Sequence, residues 1–173
     1  MGTRAVLDAD VWVAALLSPS GAAAAVLLSM EARQFQAVWS QPLLTEVQEA
    51  LGDPRIRQKY RARLFEVQLL PEIVRRLGRE VTIRGQTGLS DDPGDDKVVE
   101  TAIRGKADFV VTFNTRHFAQ GRALEHLTRH HITALPPAQF LETLRTFTAA
   151  HRRTRRRAIR LLSLRSRRRK PQR

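Results

Sequence analysis

The chain has 173 residues, of which 42% are apolar and none is cysteine. This length suits one domain with a short appendage, and the lack of cysteine excludes disulfides, thiolate metal ligands and a thiol nucleophile. The net charge of +13 is concentrated near the end, because residues 143–173 hold thirteen of the 30 basic residues and none of the 17 acids. Residues 1–142 are therefore formally neutral, and the basic character belongs to the C-terminal tail, residues 143–173.

The sequence predicts strands that alternate with helices. The expected strands are residues 4–7, 35–39, 81–83, 109–112 and 132–135. The expected helices are residues 11–17, 22–32, 42–52, 56–77 with a break at Pro71, 95–104 and 138–147. Glycine, proline and polar residues separate these segments. Such an alternation predicts an α/β fold with a mostly parallel sheet that is covered by helices on both faces.

Polar oxygen-bearing residues recur where the predicted strands end. Asp8 ends the first strand, and Glu46 lies on the helix that follows the second. Asp95 begins the helix that leads into the strand at 109–112, and Asn114 lies just past that strand. Because active sites of parallel sheets lie at the carboxyl ends of the strands, we expect these side chains to meet at one edge.

Each acid also has an ordinary structural explanation. Asp8 or Asp10 could cap the first helix, with Asp10 expected as the N-cap, and Asp95 could cap its own helix for about 1 kcal/mol. Glu46 is harder to explain, since it flanks the apolar stripe of its helix, where a half-buried carboxylate needs a partner such as a metal ion. Converging carboxylates in a chain without cysteine favour Mg²⁺ or Mn²⁺, which also relieve their mutual repulsion.

Four segments resemble, in order, the PIN-domain family of metal-dependent ribonucleases, many of which are toxins of bacterial toxin–antitoxin pairs. The segments are VLDADVWVAALL, SQPLLTEVQEAL, DDPGDDKVVETAIRGKADFVVTFNTRHF and HITALPPAQFL, which together span about residues 4–147. The third is the most specific, because its acid, helix, Ala-Asp pair, buried strand and threonine keep the family's spacing. Ala102, seven residues after Asp95, selects Asp95 among the four aspartates of residues 91–96.

The resemblance implies a three-layer α/β/α sandwich. It implies a PIN-like nuclease domain over residues 1–147, followed by an Arg-rich extension over residues 148–173. Asp8, Glu46 and Asp95 would hold Mg²⁺ or Mn²⁺, and the catalytic site would also include Thr112 and Asn114. The implied activity is endonucleolytic cleavage of single-stranded RNA by a metal-activated water, which leaves a 5′-phosphate and a 3′-hydroxyl. A homodimer, a small antitoxin partner and a cytoplasmic location are expected on the same ground, with no transmembrane segment in the sequence.

Two positions depart from the family pattern. Asn114 stands where an aspartate is frequent, and Asp10 stands where asparagine is usual. The exchange restores the lost charge if the two positions lie close together, and otherwise it weakens the site. Asp91, Asp92 and Asp96 are expected in the surrounding acidic loop, with Asp92 as a supporting group.

Two other functions remain open at the level of sequence. A haloacid-dehalogenase-type phosphatase would use the Asp-x-Asp of VLDADV, but the order of the later motifs opposes it. A PIN-like module that has lost cleavage and binds RNA or protein is supported by Asn114. His117, His130 and His131 are not assigned as ligands, and Trp12 and Trp39 are expected in the core.

The tail has its own alternatives. It is predicted to contact RNA phosphates, because arginine suits phosphate recognition and several such contacts would make binding salt-dependent. An anionic membrane surface is the second possibility, since residues 158–164 give the tail an apolar middle. A solvated extension with no ligand is the third.

Overall fold

The computed structural model of the chain describes residues 2–59 and 64–147, and within these the side chains of residues 57–59, 64–68 and 70 are not described. The Arg-rich extension over residues 148–173 lies outside the described residues, and so do the predictions made for it. Met1–Leu141 forms one compact unit, which ends within the last described helix. The domain boundary expected at residue 147 stays a prediction.

Five parallel strands form one sheet in the order β3-β2-β1-β4-β5. They are β1 (Arg4–Leu7), β2 (Gln36–Trp39), β3 (Arg79–Glu80), β4 (Phe109–Val111) and β5 (Thr133–Leu135). The expected α/β sandwich with a mostly parallel sheet is confirmed, and the sheet is parallel throughout. Because β1 and β4 are neighbours at the centre, the residues that follow them share one edge.

Nine helices are present in the described part of the chain. They are α1 (Ala9–Leu17), α2 (Ala22–Glu31), α3 (Gln41–Gly52), α4 (Pro54–Lys59), α5 (Leu64–Leu77), α6 (Asp96–Gly105), α7 (Thr115–Phe118), α8 (Gly121–Arg129) and α9 (residues 137–147). Within the described ranges, no helix taken singly has the length and apolar composition of a membrane span; α1 and α2 do so only as a pair, which is bent by 98°.

Several expected boundaries are wrong. The first helix begins at Ala9 rather than Val11, because Asp8 and not Asp10 is its N-cap. Pro71 lies inside α5 and does not break it: proline removes one helical hydrogen bond, and Val74, one turn later, is still buried in the core. The third strand is Arg79–Glu80 rather than residues 81–83, since Glu80 pairs with Trp39, the last residue of β2, and only the Val81 N–H still bonds back, to the Trp39 carbonyl at 2.8 Å. The sequence analysis did not predict α7 or α8.

The core lies between the central strands and the helices that pack on them. Val6 and Val110 are fully buried at its centre, and Trp12 and Trp39 are each only 4% exposed, as expected. Gly105, the last residue of α6, is pressed against β2, where a methyl group would overlap the side chain of Val38. The absence of a side chain at Gly105 therefore lets α6 lie directly on the sheet.

Candidate functional site

The carboxyl edge of the sheet brings Asp8 and Thr112 together. Each follows the last residue of a strand, and those two residues, Leu7 and Val111, are partners in the β1–β4 register. The Asp8 N–H donates to the Val111 carbonyl at 2.9 Å, and Asp8 Oδ1 accepts the Ala9 N–H at 2.7 Å. Asp8 therefore starts α1 at the edge where parallel sheets place their active sites.

Burial raises the pKa of the Asp8 carboxyl above its ordinary value. The Thr112 hydroxyl and the Ala9 amide lower this pKa, and so do the charges of Lys97 and His117, without reversing the shift. Because Lys97 belongs to α6 and His117 to α7, both helices reach the edge that β1 ends on.

Asp10 joins the first turn of α1 to the segment after β4. Its Oδ2 accepts the Phe113 N–H at 2.9 Å and the Thr112 hydroxyl at 3.3 Å, while Thr112 Oγ1 accepts the Asn114 N–H at 3.0 Å. Its Oδ1 is buried and has no hydrogen-bond partner among the described atoms. Burial, and next the charge of Asp8, raise the pKa of Asp10 to about 6.

Asn114 and Asp10 are thus close in space. The Asn114 side chain is exposed and makes no capping hydrogen bond, although the residue is the N-cap of α7. Asp10 bonds the amide of the preceding residue, Phe113. The carboxylate gained at position 10 therefore lies beside the segment where the family's aspartate is absent, which is the arrangement that can restore the charge.

Glu46 is half-buried on α3 and pairs with Lys97. Its Oε2 lies 3.2 Å from Lys97 Nζ, with the Glu46 side chain 39% exposed and the lysine 28% exposed. Oε2 itself is buried, so its charge is compensated by this ion pair. Burial raises the Glu46 pKa, Lys97 lowers it, and the charges of Asp8 and Asp95 raise it again. Glu46 thus belongs to the same electrostatic group as these two aspartates.

Asp95 occupies the N-cap position of α6, but its side chain makes no capping hydrogen bond. Its Oδ2 instead lies 2.8 Å from His117 Nδ1. Burial raises the Asp95 pKa, His117 lowers it, and the charges of Asp8 and Asp92 raise it. The explanation of Asp95 as an ordinary helix cap is therefore wrong, and its carboxylate is directed to the site.

The neighbouring acid, Asp96, is structural. It lies in α6 rather than in the expected acidic loop, is 6% exposed, and accepts the N–H groups of Ser90 at 2.7 Å and Gly88 at 2.9 Å. Burial would raise its pKa, but these donors outweigh burial and lower it. The pKa of Glu100 is lowered against burial in the same way, by the amides of residues 84–86 and by Arg104.

The carboxylates fit a hard divalent cation. The ligand atoms of Asp92, Asp95 and His117 lie within 4.8 Å of one another and form a possible metal-binding group. Asp8 and Glu46 stand outside that group but interact electrostatically with Asp95. Oxygen donors dominate this set, as Mg²⁺ and Mn²⁺ require, and a cation would stabilise carboxylates whose ionisation burial opposes.

The sequence analysis missed His117 and Lys97. His117 lies three residues after Asn114, one helical turn along α7, which could have signalled that the two share a face. It is exposed, as expected of a surface residue, but it contacts Asp95 rather than solvent alone. No sequence pattern indicated a role for Lys97, because its partner Glu46 lies 51 residues earlier on another helix.

Comparison with known proteins identifies one family. A family model described as PIN domain matches residues 4–116, which is well over half of the chain. The match contains every site residue discussed above except His117, which follows its last residue. No curated protein shows significant similarity to the chain.

Proposed function

The chain belongs to the PIN domain family, and from this premise we propose that it is a Mg²⁺- or Mn²⁺-dependent endoribonuclease that cleaves single-stranded RNA. PIN domains are usually metal-dependent nucleases and commonly act on RNA. The family membership displaces the phosphatase alternative.

The opposed pKa shifts of the acids carry the proposal. Four carboxyl groups at the carboxyl edge of the sheet have raised pKa values, and they are Asp8, Asp10, Glu46 and Asp95. Two buried acids of α6 that satisfy backbone donors, Asp96 and Glu100, have lowered values. In the structural acids the hydrogen bonds outweigh burial and stabilise the charged form, whereas at the edge the hydrogen bonds and basic neighbours do not offset burial and the repulsion between carboxylates. Clustering of that kind is typical of functional sites.

Asp8, Glu46 and Asp95 would hold the ion, with Asp92 and His117 at its border. A bound divalent ion would supply a water of lowered pKa and stabilise negative charge on a phosphate. His117 orients the Asp95 carboxylate, and Asp10 fixes the Phe113 backbone beside the site. Asp10 Oδ1, which has no partner among the described atoms, is the atom suited to take up a proton as pH falls through about 6.

A binding module without cleavage is the second candidate. Two basic groups already face the acids, since Lys97 pairs with Glu46 and His117 contacts Asp95. Together with the uncharged Asn114, they leave the site less negative than four aspartates would. In this case the tail and the site would bind RNA, and no metal would be needed.

Cleavage of a mixed-sequence single-stranded RNA tests the proposal. Wild type is compared with Asp8→Asn, Asp95→Asn and Glu46→Gln, in Mg²⁺, in Mn²⁺ and in chelator. Two exposed acids provide matched controls: Asp108→Asn, just before β4 and so at the opposite edge of the sheet, and Glu49→Gln, on the same helix as Glu46.

We expect metal-dependent products with 5′-phosphates, loss of cutting by at least about 100-fold in the site variants, and full activity in the controls. Calorimetric titration of Mn²⁺ gives a readout independent of cleavage. RNA binding by wild type without any cutting would establish the binding module instead. Cutting that survives in chelator would contradict a metal-dependent reaction.

The biological setting is a further part of the proposal. We infer a cytoplasmic toxin that forms a homodimer and is inhibited by a small antitoxin protein, because many members of the family have this arrangement. Sedimentation of the purified chain measures the oligomeric state. Growth arrest on induced expression, relieved by Asp95→Asn, would support the toxin role, and normal growth would oppose it.

A further inference from the structure

Phe113 is an aromatic side chain exposed beside the site. It is 52% exposed, whereas Phe109, four residues earlier, and Phe118, five residues later, are 8% and 1% exposed. Leaving so much apolar surface in water is unfavourable. The exposure is therefore specific to this position and is not shared by the neighbouring aromatic residues.

The backbone of Phe113 is fixed to the carboxylates. Its N–H donates to Asp10 Oδ2 at 2.9 Å. The residues on either side are joined by the 3.0 Å hydrogen bond from the Asn114 N–H to Thr112 Oγ1. Since Thr112 itself is fully buried, the ring extends from an anchored turn rather than from a loose loop. The backbone atoms from which the ring extends are thereby held next to Asp10.

We propose that the Phe113 ring stacks on a nucleobase adjacent to the phosphate being cleaved. This inference rests on the proposed ribonuclease function. Every phosphate in single-stranded RNA has a base on each side, so a phosphate at the carboxylates brings a base within reach of a neighbouring side chain. Aromatic stacking accepts any base, because every base has a π-face.

The surroundings of Phe113 favour RNA over a protein partner. Asn114, Arg116 and His117 follow it and are all exposed and polar or basic. Large contiguous apolar patches mark protein-interaction sites, and a ring followed along the chain by three exposed polar or basic residues does not form one with them. A base with its phosphate, by contrast, needs both an apolar face and nearby hydrogen-bond donors.

Binding of RNA by Phe113→Ala and Phe113→Trp provides the test. Both variants keep the backbone N–H that Asp10 accepts. Leu124→Ala, which removes a side chain 44% exposed on α8, is the matched control. Affinity is measured in an Asp95→Asn background with two oligonucleotides, one intact and one with single abasic nucleotides flanking the mapped cleavage position.

Phe113→Ala is expected to weaken binding of intact RNA by between about 5-fold and about 150-fold, and Phe113→Trp to retain it. The abasic RNA should bind wild-type Phe113 and Phe113→Ala equally, because the stacking partner is gone. An equal loss on both RNAs, or a loss of the same size in Leu124→Ala, would overturn the inference. A change in sedimentation with unchanged RNA affinity would assign the ring to a protein contact and likewise overturn it.

The two proposals fail separately. Wild type that binds RNA but never cuts it would refute the ribonuclease function. Since no cleavage position could then be mapped, a set of oligonucleotides with each base removed in turn would take the place of the abasic RNA. The role of Phe113 would be judged from these affinities alone. Wild type that cuts, with Phe113→Ala unchanged in KM and in affinity, would refute the stacking and leave the ribonuclease intact.

Discussion

The Nδ1 atom of His117 lies 2.8 Å from Oδ2 of Asp95, although 22 positions separate the two residues. The contact joins α7 to the N-terminus of α6 across the carboxyl edge of the sheet. It lowers the pKa of Asp95 against the effect of burial. Since partners of metal-binding carboxylates fix their orientation, His117 is expected to act through Asp95.

Replacement of His117 by alanine should therefore raise the pKa of Asp95 and reduce cleavage by about 10- to 100-fold. Glutamine at the same position retains an amide donor and should lose less. Carboxyl NMR titration reports the Asp95 pKa, and the concentration of Mn²⁺ needed for half-maximal cleavage reports the site. An Asp95 pKa that is the same in wild type and His117→Ala would contradict this role.

Asp95 and Asp96 are adjacent acids with opposite effects on stability. Asp96→Asn weakens the bonds from the Ser90 and Gly88 amides and should destabilise the protein by about 1–3 kcal/mol. Asp95→Asn removes a carboxylate whose charged form is opposed by burial, so stability should be unchanged or higher. Urea unfolding of the two variants in chelator compares them directly. Equal destabilisation by both would show that the division into structural and functional acids is wrong.

The lowered pKa of Asp96 also predicts acid sensitivity. A carboxyl group with a depressed folded pKa contributes stability above its unfolded pKa, near 3.8, and loses it as pH falls through the folded value. Wild type should therefore lose stability below about pH 4. The loss of stability should be smaller in Asp96→Asn, because asparagine at position 96 does not take up a proton. Unfolding at pH 3 and pH 5 measures the difference.

Asp10 should have the opposite effect to Asp96 on how stability depends on pH. Its folded pKa is about 6, above the ordinary value of 3.8, so the folded protein binds this proton more tightly than the unfolded chain. The resulting stability is fully present below about pH 3.8 and is lost as pH rises through about 6. Allowing for partial solvent screening, we expect Asp10 to account for about 1–2 kcal/mol of decline between pH 4 and pH 7.

Asp10→Asn is the control for that pH dependence. In chelator the variant should show a shallower decline between pH 4 and pH 7 and be the more stable protein at pH 7. Added Mn²⁺ should reduce the advantage of the variant, since an ion at the site stabilises the charged carboxylates of wild type. Identical profiles of stability against pH for the two proteins would mean that burial does not raise the pKa of Asp10.

Deletion of residues 151–173 should weaken RNA binding at low salt and leave Mn²⁺ binding unchanged. The segment contains most of the basic residues of the tail. Contacts between these residues and RNA phosphates would release counterions from the RNA. The slope of log affinity against log salt should therefore become shallower in the truncated protein. A full-length variant with these arginines changed to glutamine separates charge from chain length. Unchanged affinity would eliminate the tail as an RNA-binding element.

The fold was predictable because its signals are local. The buried runs at β1 and β4 and the helix that follows Asp95 can each be recognised within about ten residues, and their alternation implies a parallel sheet. The choice of Asp95 over Asp96 required the family's spacing, since both acids stand at the same helix start. Pairing of Glu46 with Lys97 could not be predicted, because it depends on where α3 and α6 lie relative to each other.

Gly105 constrains how this protein can diverge. Its lack of a side chain leaves room for Val38 on β2, and α6, which carries Asp95 at its other end, rests on that contact. A lineage that acquires alanine at position 105 must shorten the residue at position 38 in the same period, or displace the helix that presents the aspartate. The two positions should consequently covary across relatives, even though neither one touches the chemistry.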